Sequence, residues 1–117
     1  EAVELLTGNV SAKTAKEILF TGRRFPAADA LRWGLVNRVV AADELDATVE
    51  AYATEIAANA PLSVKAAKVI IGEAVKESAE QDHDACQALV DACHDSEDYI
   101  EGQKAFGEKR PPQFKGH

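Results

Sequence analysis

Glycine, proline and small polar residues cut this chain into short stretches, and most stretches repeat their apolar positions with a helical period. Ser11 stands where an N-cap belongs and Gly22 where a left-handed residue ends a helix, which predicts a helix over 11–21. Pro26 suits a first helical position, Asp29 falls in a first turn, where the macrodipole favours a carboxylate, and Gly34 closes the segment. Residues 26–33 therefore read as a short helix. Asp43 caps a long helix in which Leu45, Val49, Tyr52 and Ile56 form one apolar stripe. Pro61 opens a helix to about residue 77. Leu62, Val64, Ala67, Val69, Ile70, Ile71, Ala74 and Val75 nearly encircle it, which predicts burial on several sides or a subunit contact. A further helix spans about 79–94, with Cys86, Leu89, Val90 and Cys93 on one face. Ser96 caps the last one, with Glu97 and Asp98 in its first turn. Residues 35–40, short and β-branched, read as a brief strand or an extended connector. The expected fold class is all-α: about six helices with one short extended segment near 35–40. Pro111-Pro112 forces the tail into an extended form reaching about 20 Å.

A chain of 117 residues is the size of one domain, and its 46% apolar and 28% charged residues are ordinary for a globular protein. No apolar run approaches the ~18 residues of a spanning helix, so a membrane partner is not expected. The chain starts at Glu1 and contains no Met, which reads as a processed product or a piece of something longer. A net charge of −7 argues against nucleic acid. Its distribution is uneven: residues 1–40 carry 6 Lys/Arg against 4 Asp/Glu, 41–102 carry 3 against 15, and 103–117 carry 4 against 1. A compact anion such as a phosphate would find favourable potential only in the last fifteen residues or near Arg23 and Arg24.

The side chains that suggest chemistry are few. His83, Cys86, Cys93 and His94 resemble a ligand set, but His94 follows Cys93 directly, about 100° round a helix, and cannot share its face. No metal is therefore assigned. Seven residues of helix separate the cysteines by about 10.5 Å, too far for a disulfide, so they read as small buried residues in a reducing compartment. Neither a Gly-x-Ser-x-Gly elbow nor a glycine-rich phosphate loop is present.

The order of residues carries more than their spacing does. Ala15-Lys16-Glu17-Ile18-Leu19-Phe20-Thr21-Gly22-Arg23-Arg24-Phe25, then Ala28, Ala30-Leu31 and Gly34-Leu35-Val36-Asn37-Arg38-Val39-Val40, resemble the run that follows the catalytic core in the enoyl-CoA hydratase/isomerase (crotonase) family. Ala60-Pro61-Leu62-Ser63-Val64-Lys65-Ala66-Ala67-Lys68, Ser96-Glu97-Asp98-Tyr99-Ile100-Glu101-Gly102 and Ala105-Phe106-Gly107-Glu108-Lys109-Arg110 are similar to that family's C-terminal helices. The resemblance covers about residues 11–117. Pro26 departs from it, standing where the family commonly shows a Ser-like cap.

The resemblance implies that this chain is the helical C-terminal part of such an enzyme, with residues 1–10 as the junction, 11–108 as helices and 109–117 as an extended basic tail. The family's spiral core, with its oxyanion hole and acid/base carboxylates, would lie upstream, so no catalytic residue is expected here; Glu1 and Glu4 lie near the join. The implied substrate is an acyl-CoA thioester, with no tightly bound cofactor, and the implied assembly is a trimer or dimer of trimers. Phe106 and Lys109 match the family's aromatic and lysine that contact the adenine and phosphates of coenzyme A. Lys104, Arg110 and Lys115 are secondary candidates. The alternative is a stand-alone helical oligomerisation module without catalysis.

Overall fold

The computed structural model describes residues 2–117, so Glu1 lies outside the described residues. Seven α-helices are found among them: α1 Ala2–Asn9, α2 Ala12–Thr21, α3 Ala27–Arg32, α4 Leu45–Ala57, α5 Pro61–Ala74, α6 His83–His94 and α7 Glu97–Glu108. Two 3₁₀ turns, Ala42–Glu44 and Ser78–Glu80, lead towards α4 and α6. The chain divides into two compact units, one up to Thr48 and one Val49–His117, with the boundary inside α4.

In the first unit α1 packs on α2, and α1 is a helix the sequence reading did not include. Ser11 caps α2 by accepting the N–H of Thr14 at 3.1 Å. Gly22 ends the helix at φ 57°, a conformation that costs a side-chain-bearing residue and costs glycine nothing. Pro26 is the residue before α3 rather than its first turn: at ψ 156° it is extended, and its carbonyl accepts the N–H of Asp29 at 3.0 Å. Phe25 and Trp33 close this short helix from both ends, their rings edge to face at 5.0 Å. The buried residues here are small or medium: Val10, Ala15 and Ala30.

Residues 35–37 bend and 38–41 have no regular structure, Ala41 being extended at ψ 151°, and there is no strand among the described residues. Of the two readings of this segment, the extended connector is the one adopted. A strand needs a ladder partner, and here the N–H groups of Leu35 and Val36 return instead to the carbonyl of Ala30 at 2.9 and 3.4 Å. Asp43 does not cap α4 as expected. Ala41 takes the cap position, and Asp43 lies within the 3₁₀ turn, where a carboxylate still complements the helix dipole.

In the second unit α5 packs on α6, and α6 on α7. Pro61 occupies the first turn of α5, where its missing N–H costs nothing. The helix stops at Ala74 rather than near 77. Glu73 fastens the turn that follows, taking the Lys76 ammonium at 2.6 Å and the N–H of Asp82 at 3.0 Å. Those two contacts hold the Glu73 carboxyl below its usual range, the lysine first. Asp82 then caps α6 through the N–H of Ala85, and Ser96 caps α7 through the N–H of Tyr99. The encircling apolar residues of α5 are not buried on several sides in this chain: Ala66 is buried, whereas Val64, Val69, Ile71 and Val75 are exposed.

Candidate functional site

The C-terminal third carries the residues singled out above. α7 ends at Lys109, which adopts φ 54° and ψ 41° and turns its N–H back to the carbonyl of Phe106 at 3.2 Å. Glycine usually fills this position, because a Cβ crowds the left-handed conformation by about 1 kcal/mol or more. Pro111 and Pro112 follow and prevent any further helix. The tail then runs back along α7. The N–H of Gln113 donates to Glu101, and those of Lys115 and Gly116 donate to Asp98.

Between α5, α6, α7 and the tail lies a groove of about 490 Å³, within the range of small-molecule sites. Leu62 and Ser63 come from α5, Cys93 and His94 from α6, Tyr99, Gly102, Gln103 and Phe106 from α7, and Phe114 from the tail. His94 and Tyr99 meet edge to face at 5.2 Å, which accounts for His94 without a ligand role. Both cysteines are free thiols and half-buried. No group of three or more His, Cys, Asp or Glu able to hold a metal is found among the described residues.

Phe106 stands on the rim of this groove, 89% exposed. A core role for it within this chain is thereby excluded. Lys109 is exposed three residues on, but it is not among the residues lining the groove. Because the backbone leaves the helix at Lys109 itself, ideal i, i+3 helical geometry does not fix its side chain relative to Phe106.

Lys104, Arg110 and Lys115 line a second groove of about 520 Å³ together with Glu97, Asp98, Glu101 and Gln113. Arg110 is already committed there. Its guanidinium grips Glu101 with two parallel bonds of 2.6 and 2.9 Å, and its Nε donates to Glu108 at 2.7 Å. The Arg110 bonds, and next the N–H of Gln113, hold the Glu101 carboxyl at about 2, below its ordinary 4.5. The carboxylates in turn push Arg110 up. The local basic patch is thus smaller than residue counting suggested, with Arg110 neutralised from within. Arg23 and Arg24 are exposed in the other unit and border a small pocket beside Phe25 and Trp33.

Asp98 was legible in the sequence only as a first-turn acid. In the structure it is 4% exposed and holds the tail. The only signal for that role was an acidic pair spaced i, i+3 at 98 and 101, followed by a glycine and, past two prolines, by a short polar tail.

Several known proteins are similar to this chain. Carnitinyl-CoA dehydratase of Proteus mirabilis is 43% identical over 104 residues, covering 86% of this chain and 40% of that protein. Its counterpart in Salmonella arizonae is 40% identical over 105 residues. An enoyl-CoA hydratase of Mycobacterium marinum superposes with a TM-score of 0.87 at 34% identity, over 98% of this chain and 47% of that one. One from Bacillus anthracis gives 0.80 at 32% identity, over 96% and 43%. The chain spans about 40% of the length of the curated relatives it matches. The Enoyl-CoA hydratase/isomerase family model matches residues 2–117. With that match over nearly its whole length, and with its helices superposing on part of those solved structures, the chain belongs to the enoyl-CoA hydratase/isomerase family.

Proposed function

We propose that this chain is the C-terminal part of an enzyme acting on acyl-CoA thioesters, and that it covers the bound coenzyme A and contributes to the contact between subunits. The carrying observation is Phe106: a large aromatic ring left almost fully exposed on the rim of an apolar groove, with a lysine three residues on. An uncovered aromatic face offers a stacking platform for a planar base such as adenine, worth roughly 1–3 kcal/mol. A lysine nearby offers a phosphate a charge-assisted bond.

The chemical step would take place elsewhere in the enzyme. An oxyanion hole preceding this segment would stabilise the thioester enolate, and carboxylates there would move the protons. No residue of this chain is assigned to that step. The chain's own contribution is binding and the exclusion of water from the bound thioester. The apolar residues that it leaves exposed on α4 and α5 fit a trimer or dimer of trimers, where they would be covered.

Phe106→Ala in the full-length enzyme tests this reading. Loss of stacking raises KM for crotonyl-CoA about tenfold while kcat changes little, because the contact is equal in ground and transition states. An unchanged KM would remove Phe106 from the binding site.

A further inference from the structure

The buried carboxylate of Asp98 does more than complement a helix dipole. Its Oδ1 accepts the N–H of Lys115 at 2.6 Å and its Oδ2 that of Gly116 at 2.7 Å. Its own N–H donates to the backbone oxygen of His117 at 3.2 Å. One residue thus makes three hydrogen bonds to chain 17 to 19 positions away. One turn along α7, Glu101 adds a fourth by accepting the N–H of Gln113 at 2.8 Å.

Phe114 lies between these two fastenings, and its ring rests over Gly102: a Cβ at that glycine would stand 3.6 Å from the ring. At that distance a Cβ would make ordinary van der Waals contact, so the ring packs directly on this turn of α7. At the far end Gly116, at φ 85°, seats against Pro61, where a Cβ would stand 3.6 Å from the proline ring. The tail is therefore tied to α7 by hydrogen bonds and rests on the start of α5. Phe114 shares the groove with Phe106.

We propose that Asp98 is a positioning residue: it latches residues 113–117 onto α7 as a strap, and the latched strap sets Phe114 as a wall of the groove whose rim is Phe106. The latch stands on the hydrogen bonds above; only the identity of what fills the groove rests on the coenzyme A reading. The arrangement accounts for a carboxylate at a buried position in a helix. Two backbone N–H groups arrive, and an ionised carboxylate is the one side chain of this size that only accepts.

Asp98→Asn in the full-length enzyme is the test. Asparagine keeps the shape but presents an NH₂ to one of the two arriving N–H groups. The expected result is hydrogen exchange at residues 113–116 faster by about tenfold or more, with protection in α5 and α6 retained. KM for crotonyl-CoA should rise by a larger factor than kcat falls. Phe114→Ala, harmful in the parent, should have little further effect on KM in the Asp98→Asn background. Tail exchange as slow in the variant as in the parent would overturn the latch. Faster exchange with an unchanged KM, where Phe106→Ala does raise KM, would overturn the strap as a wall while leaving the coenzyme A reading intact. If neither variant moves KM, the coenzyme A reading is what fails, and faster exchange still supports the latch. Gly116→Ala provides a second variant should Asp98→Asn not fold. A Cβ at φ 85° strains only the tail, and the same rise in exchange is expected; none would overturn the strap.

Discussion

Two helices of nearly equal length, α4 with 13 residues and α7 with 12, treat their surfaces in opposite ways. α4 is the more apolar of the two and buries none of its residues; Leu45, Val49, Tyr52 and Ile56 are all exposed. α7 is richer in polar residues, yet Ala105 and even Asp98 are buried, and its carboxylates gather the tail. The difference shows that apolar periodicity reports which face a helix offers, not whether its own chain covers that face. A large apolar surface left open is ordinarily the contact surface of something larger. α7 leaves Tyr99, Ile100 and Phe106 exposed too, but its Asp98 and Glu101 side is completed from within the chain, through bonds whose donors are backbone groups that must be satisfied.

The comparison is sharpened first at α4. Ile56→Ser removes a side chain whose full burial is worth about 2 kcal/mol. If subunits cover the stripe, sedimentation of the full-length variant will show dissociation at concentrations where the parent remains assembled. A parental sedimentation profile would mean that subunits leave the stripe bare.

A smaller effect is expected at Glu101. Its pKa lies at about 2 in the folded protein against 4.5 as the ordinary value. A depressed carboxylate contributes stability that is complete above the ordinary value and is lost as pH falls through the folded one. The strap should therefore loosen between about pH 4.5 and pH 2, followed through the amide resonance of Gln113. Glu101→Gln should abolish that step. A Gln113 resonance that moves identically in parent and variant would separate Glu101 from the strap. Arg110, pushed up by its two carboxylates, stays charged throughout this range.

What could be read in the sequence divides along the same line. Ser11, Gly22, Pro61 and Ser96 act within one helical turn, and each marks its helix end as expected. The tail was legible only as far as its two prolines, because extended backbone is a local property and docking is not. The partners of Asp98 lie 17 to 19 residues away, a distance over which no periodicity speaks. α1 was missed because its residues, AVELLTGN, lack a capping residue before them and were read as a junction. Phe106 and Lys109 were reached only through resemblance. Nothing in their spacing distinguishes a binding pair from an ordinary helix end, and the left-handed turn at Lys109 was not legible there either.

Calorimetric titration of coenzyme A into the full-length enzyme and its Lys109→Ala variant tests the central claim most directly. Alanine faces the same left-handed backbone as lysine, and the site is exposed, so stability should change by no more than about 0.5 kcal/mol. The account predicts affinity weaker by about tenfold at most, a gap that narrows with added salt and with dephospho-CoA. Equal affinity in the two proteins would contradict it, leaving Lys109 as the residue that ends α7 and nothing more.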